Sequence, residues 1–383
     1  MKYKEIGDSL YIKGRIGWKG LKKSEYLKNS DYRIINGSNI FDNKIDWSNC
    51  GYISEERYNE SPEIMLQKGD ILITKDGTIG KVAMVSELKK PTTVASGLFV
   101  LRNTAPSKWD TKYIFNFLQS NKFKKFVFSR TEGSVIPHLY QKDFMTLEIP
   151  ELEINEQRKI AYRLDTIQHK LDLNNQINDN LLELAKTIFK NIIKTSSLHA
   201  LTINDVGTVI GGGTPSKKVP KYWNGNIPWI SPKDLSNHPN VFTSHGENSI
   251  TQNGLDHSST KLLPQKTVLF SSRAPIGYIS IANNEITTNQ GFKSVIPDKN
   301  YPFWFIYELL KSETPKIINE ANGSTFKEIS GGKLKQHKIS IPTSIEVMKY
   351  NSIFLPIFEK IQQFEEEIDK LNQIKDILLN KFF

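Results

Sequence analysis

Between Ile154 and Lys194, apolar positions recur at alternating spacings of four and three. Ile160, Leu164, Ile167, Leu171, Leu181, Ala185, Ile188 and Ile192 keep this rhythm, with Asn174 and Asn178 at two of its positions. The stretch holds neither Pro nor Gly, and the spacing predicts one long helix whose heptad seam needs a partner helix. A second stretch, from about Ile357 to Phe383, repeats the rhythm through Ile357, Ile361, Phe364, Ile368, Leu371, Ile374 and Leu378. At ~1.5 Å per residue each helix spans roughly 40 to 60 Å. Asn174 and Asn178 either lie buried in the seam, where an amide lowers stability but fixes register, or lie exposed where the pair splays. Pro356 either marks the first turn of the second helix or kinks it.

Outside these stretches the pattern is different. Residues 1–150 hold short β-type runs separated by Gly, Asn, Pro and Lys clusters, with one helical stretch from Trp109 to Phe128 carrying Phe115, Phe123 and Phe126. Residues 198–342 do the same in the same order, with Phe303 to Asn319 as the corresponding helix. The match extends to short strings. Ile35–Ile40 echoes Ile230–Leu235, Ile71–Val82 echoes Val268–Ile279, Thr92-Thr93 echoes Thr287-Thr288, and Gly133-Ser134 echoes Gly323-Ser324. Glu148–Pro150 echoes Ser340–Pro342, and in each half the Pro precedes a long helix. The expected plan is α+β: two similar mixed α/β domains (1–150 and 198–342), a central spacer helix (151–197) and a C-terminal spacer helix (343–383). The helices pair antiparallel in a coiled coil, as a pseudo-two-fold internal repeat.

Charge adds to this picture. The chain of 383 residues carries a net +10. The helical stretch 155–195 has seven Lys/Arg against five Asp/Glu, and 346–383 has five against seven. The excess therefore resides in the two globular segments, which points to a polyanion, most often nucleic acid. The single Cys50 leaves no internal disulfide and fits a reducing cytoplasm. The seven histidines form no metal-binding spacing with it. No signal core or long apolar run is seen, so a soluble, cytoplasmic chain is expected.

Candidate contacts with nucleic acid cluster in loops. Lys75, Asp76 and Thr78 sit at the tip of the predicted strand–turn–strand 71–82, and Ser272 and Arg273 at the tip of its counterpart. Such a tip either probes a groove or is simply a solvated turn. The Ile79-Gly80 and Ile276-Gly277 pairs read as structural, a Gly where backbone packs closely. Gly211-Gly212-Gly213-Thr214-Pro215 lacks the GxxxxGK[ST] of a phosphate loop and reads as a turn before a basic loop. That loop holds Lys217, Lys218, Lys221 and Trp223. Its first-half counterpart holds Arg15, Trp18, Lys19, Lys22 and Lys23. Cations can neutralise phosphates while aromatic and polar groups meet bases or sugars; otherwise these are surface loops pinned by a Trp. Ser134, Ser324 and Lys327 complete the candidates. No nuclease carboxylate cluster, GxSxG, HExxH or methyltransferase motif occurs, so a non-catalytic chain is expected.

The stretches GRIGWKGLKKSEY (14–26), GDILITKDGTIGKVAMV (69–85), EINEQRKIAYRLDTIQHKLD (153–172), GGTPSKKVPKYWNGNIPWISPKDL (212–235) and SSRAPIGYISIA (271–282) resemble the specificity subunit of Type I restriction–modification systems. The resemblance covers essentially the whole chain. It implies two target recognition domains, each reading half of a split, asymmetric site on double-stranded DNA, with the helices as a ruler between them. It also implies docking of two modification (methyltransferase) subunits on the helical region, around Ile160, Leu164, Ile167, Leu171, Leu181, Ile188, Ile361, Phe364, Ile368 and Leu371. Restriction subunits that translocate DNA join that core. No cofactor is expected on this chain; S-adenosylmethionine and ATP belong to the partners. Two features depart from the family pattern. The SIEVMKY stretch lacks the Glu-Gln-Arg-Lys-Ile that follows Asn155, and the first domain lacks the GGTP opening of the second. A specificity partner for a fused methyltransferase–nuclease and a coiled-coil scaffold with two protein-binding domains are the competing readings.

Overall fold

The structure is a computed structural model that describes residues 2–16, 20–131, 138–323 and 327–383. Residues 1–171 with 370–383 form one compact unit, and residues 172–369 form the other. No helix among the described residues is long and apolar enough to cross a membrane.

In the first unit a four-stranded antiparallel sheet runs in the order Leu10–Gly14, Leu98–Asn103, Ile71–Thr74, Val82–Met84. A three-stranded sheet sets Tyr32–Ile35 between Gly51–Ile53 and Thr92–Val94, the latter pairing parallel. The second unit builds its larger sheet in the matching order Gly207–Gly211, Lys293–Pro297, Val268–Ser272, Ile276–Ala282, and adds Phe242–Thr243 at the edge. Its smaller sheet sets Trp223–Ile230 between Asn248–Ile250 and the parallel strand Thr287–Thr288. The echoes 35–40 with 230–235, 71–82 with 268–279 and 92–93 with 287–288 therefore occupy the same places in two copies of one fold. Runs such as Ile71–Thr74 and Val268–Ser272 are buried throughout, which explains why they read as continuous apolar strings and not as alternating ones.

The aromatic helices differ between the units. The single helix expected from Trp109 to Phe128 is two helices, Thr111–Phe117 and Asn121–Thr131. The break falls at Ser120, whose hydroxyl accepts the Phe123 N–H at 3.3 Å and restarts the helix. The counterpart Phe303–Glu320 is continuous and carries Pro315 inside it.

The central helix spans Ile154–Thr195 as the heptad spacing predicts. The C-terminal helix begins earlier than expected, at Asn351, so Pro356 lies inside it and not in its first turn. Within the first unit, Ile160 and Leu164 share a core with Leu379 and Phe383, and Lys375 donates to Gln168 at 2.6 Å, so the helix segments run antiparallel. Phe383 seals this core, 5.1 Å from the Tyr113 ring and 5.5 Å from that of Phe117. Within the second unit, Ala185, Phe189 and Ile192 pack with Phe354, Ile357, Phe358 and Ile361. Asn174 and Asn178 are both buried, and the Asn174 amide donates to Glu367 at 2.8 Å. The seam reading is the one observed.

Gly80 and Gly277 occupy equivalent places after the two hairpin tips, with φ of +84° and +101°. A Cβ on Gly277 meets Thr314 Cγ2 at 2.6 Å, whereas one on Gly77 (φ +67°) meets nothing within 4 Å. Gly277→Ala is therefore expected to cost roughly 2–3 kcal/mol, from a strained φ plus overlap. Gly77→Ala is expected to cost only about 1 kcal/mol. Urea unfolding of the two variants checks the difference, and equal costs would refute the steric part.

Candidate nucleic-acid interface

The hairpin tips are the most regularly built feature of the repeat. In the first unit, Thr74 Oγ1 donates to the Thr78 carbonyl at 2.6 Å and accepts the Lys81 N–H at 2.9 Å. In the second, Ser271 Oγ donates to the Pro275 carbonyl at 2.7 Å and accepts the Tyr278 N–H at 2.8 Å. One buried hydroxyl closes each turn in the same way. The base of each tip is anchored by backbone on two sides. Lys75 N–H donates to Gly97 O at 2.9 Å and Lys75 O accepts the Leu139 N–H at 3.2 Å. Ser272 N–H donates to Gly291 O at 2.7 Å and Ser272 O accepts the Ile329 N–H at 3.0 Å. Thr74, Ser271, Leu139 and Ile329 were not among the sequence candidates. A hydroxyl at the end of an apolar strand, repeated in both halves, was the available signal.

At each tip an exposed charged group faces the anchoring segment. Asp76 meets His138 Nδ1, and because a carboxylate only accepts, the imidazole donates there. Arg273 lies 3.5 Å from Glu328. His138 directly precedes Leu139 and Glu328 directly precedes Ile329, so the two pairs are equivalent in the repeat and opposite in sign. A half-buried lysine stands under each tip. The Lys75 ammonium lies 4.8 Å from the centre of the Phe99 ring. Lys293, which occupies the sheet position equivalent to Phe99, donates to the carbonyls of Gln290 and Phe292 at 3.2 and 3.3 Å. Burial pulls both ammonium groups below their ordinary value, with Asp76 opposing this for Lys75 and Glu328 for Lys293. Lys293 was missed in the sequence because its counterpart there is an aromatic residue. Beside the second tip is an open groove of about 660 Å³, lined by Arg273, Pro275, Ile276, Ile318, Lys327 and Glu328 among others.

The remaining candidates divide by burial. Lys22, Lys23, Thr78, Lys217, Lys218, Lys221 and Lys327 are exposed. Trp223 is half-buried; its indole N–H donates to Ser216 O at 3.2 Å and its ring stands edge-on to Trp229. Arg15 corrects an expectation. It is 2% exposed and donates to Val94 O, Ser61 Oγ and Thr93 Oγ1, which ties the two sheets of its unit together instead of offering a phosphate contact. Ser272 is likewise buried, its hydroxyl donating to Gly291 O at 3.0 Å, so it anchors the hairpin and does not face solvent. Trp18, Lys19, Ser134 and Ser324 lie outside the described residues.

The seam residues expected for the coiled coil and for partner docking differ in burial. Ile160 and Leu164 are buried in the core of the first unit and Ile361 in that of the second, and Leu171 is buried as well. Ile167, Leu181, Ile188, Phe364, Ile368 and Leu371 are half-buried. The apolar residues left exposed on the central helix are Tyr162, Leu173, Ile177 and Leu184. Among the described residues, no group of three or more His, Cys, Asp or Glu is placed to hold a metal ion.

A family model described as the type I restriction modification DNA specificity domain matches residues 1–183 and again 199–376. The type I restriction enzyme MjaIX specificity subunit of Methanocaldococcus jannaschii is 38% identical over 183 residues, which is 47% of this chain and 42% of that protein. The putative type I restriction enzyme MjaX specificity subunit of the same organism is 23% identical over 396 residues, 94% of this chain and 88% of that protein. The crystal structure of the S subunit of a type I restriction–modification system from M. genitalium aligns over 100% of this chain and 96% of its own, with a TM-score of 0.65 at 16% identity; this likeness concerns the fold. The family model covers both halves of the chain, and the chain belongs to the type I restriction–modification DNA specificity family.

Proposed function

We propose that this chain is the DNA sequence-specificity subunit of a Type I restriction–modification complex. The globular parts, residues 1–150 and 198–342, each read one half of a bipartite, asymmetric site on double-stranded DNA. The helices set the gap between the half-sites and dock the methyltransferase subunits, for which exposed apolar residues such as Leu173, Ile177 and Leu184 on the central helix and Ile374 and Ile377 on the C-terminal one are at hand. The chain itself makes and breaks no covalent bond. S-adenosylmethionine and ATP are bound by the modification and restriction subunits. The complex works in the cytoplasm, where its DNA is.

One observation carries this reading: the same anchored hairpin tip is built twice, with an unchanged bonding framework and opposite charge at the exposed position. A pair of unlike readers on a like scaffold is what an asymmetric two-part site requires. Phosphate contacts then come from the exposed lysines of the loops, and base contacts from the tips.

Methylome sequencing of cells carrying this chain with its neighbouring methyltransferase tests the proposal. A new bipartite methylated motif is expected only when both are present, and exchange of residues 1–150 changes one half of it. No motif with both proteins expressed would overturn the reading. Affinity of the purified complex for DNA is expected to fall roughly a thousandfold or more between 50 and 200 mM salt if six or more phosphates are neutralised. A protein-binding scaffold shows no such dependence.

A further inference from the structure

The two tip pairs differ in polarity within a shared bonding frame. The hydroxyl closures at Thr74 and Ser271 match bond for bond, as do the backbone anchors at Lys75 and Ser272. Beside the exchange of Lys75 for Ser272 and of Phe99 for Lys293, the exposed pair changes, from acid on the tip and imidazole on the loop to guanidinium on the tip and acid on the loop. A strut needs opposite signs but is indifferent to which side carries which. The polarity at each tip is therefore free to be set by what that tip reads.

Accessibility and chemistry agree with this. The side chains of Asp76 and His138 are 47% and 28% exposed. Those of Arg273 and Glu328 are 39% and 41% exposed. Ion pairs this exposed contribute little to stability, so exchanging them for another partner is cheap. Each loop group also imitates a base edge. Glu328, one of whose oxygens lies 3.5 Å from one Arg273 guanidinium nitrogen, presents carboxylate acceptors, as guanine presents O6 and N7. His138 offers Asp76 an N–H donor, as the exocyclic amino group of cytosine or adenine does. The half-buried Lys293 and Lys75 add fixed positive charge beneath each tip.

We infer that Arg273 and Asp76 are the specificity-determining residues of the two units: Arg273 selects a guanine in one half-site, and Asp76 selects an exocyclic amino group, of cytosine or adenine, in the other. Glu328 and His138 hold the two readers in place until the base edge displaces them. This rests on the DNA-specificity reading given above.

The test is the methylated motif of the intact complex in cells, compared for the parent chain, Arg273→Lys, Arg273→Ala and Asp76→Asn. The parent motif is expected to contain a guanine in the half-site that follows residues 198–342. Arg273→Lys keeps the charge but loses the two-pronged geometry. It is expected to relax that single guanine position by roughly ten- to a hundredfold in discrimination while the other half-site stays intact. Arg273→Ala relaxes the same position, and Asp76→Asn relaxes or changes one position in the other half only. An unchanged motif in both Arg273 variants, or a parent half-site without guanine, overturns the assignment while leaving the specificity reading standing. Absence of any bipartite motif with the parent chain overturns both.

Discussion

Replacing Glu308 with Gln is expected to raise the melting temperature at pH 8 by several degrees and to raise it far less at pH 5. Glu308 is 2% exposed, on the helix Phe303–Glu320, beside a cavity of about 300 Å³ lined also by Leu182, Lys186, Phe189 and Lys311. Its Oε1 has no hydrogen-bond partner among the described residues. Burial pushes its carboxyl up to about 7, against the pull of Lys311 and Lys186. The sign follows from proton linkage. Between the ordinary value of an unfolded Glu and about 7, the folded state holds more protons than the unfolded one, so stability falls as pH rises through that window. The full penalty, on the order of 3 kcal/mol, is reached above pH 7 and is absent below about pH 4. An amide carries no charge and avoids it. Glu365 offers a contrast within the same unit. Burial raises it to about 7 as well, but its two oxygens accept the Val241 and Phe242 N–H groups at 2.6 and 2.9 Å. Glutamine has one acceptor oxygen, so Glu365→Gln leaves one of these donors unsatisfied and gains less or nothing. Melting curves at both pH values decide the matter, and an equal shift of Glu308→Gln at pH 5 and pH 8 would refute the linkage.

Trp304→Ala is expected to destabilise the second unit by about 3–5 kcal/mol. Trp304 is fully buried, stacks on Phe354 with centroids 3.9 Å apart and planes at 10°, and donates its indole N–H to Asn351 Oδ1 at 2.9 Å. The truncation removes a large apolar volume, a stacked contact and a hydrogen bond at once. It also leaves the Asn351 side chain, at the first residue of the C-terminal helix, without that donor. Trp304→Phe keeps most of the volume and the stack, and its cost is expected to be less than half as large. Denaturant unfolding measures both, and hydrogen exchange should show the loss in the peptides of 303–320 and 351–361. A cost under 1 kcal/mol for the alanine variant would mean that the core repacks around the cavity.

Much of this architecture was legible in the residues. Heptad spacing defined the central helix and its need for a partner, because a seam of apolar residues cannot remain in water. Ordered echoes such as Ile71–Val82 with Val268–Ile279 revealed the duplication, because the same buried strand demands the same apolar run. The excess of positive charge in the globular segments is the ground for expecting a polyanion there. Local signals did not decide where side chains point. Arg15 read as a phosphate contact and Ser272 as a tip residue, yet both are buried, since a polar residue inside a unit is distinguishable from one outside only when its partners are in place. Lys293 was invisible because its sheet position is aromatic in the first unit, so the tip lysine comes from a different strand in each copy. The pairing of Asp76 with His138 and of Arg273 with Glu328 joins segments more than fifty residues apart. Periodicity reports what one element buries; which charges meet at a hairpin tip is set by long-range packing, and only the folded chain could show it.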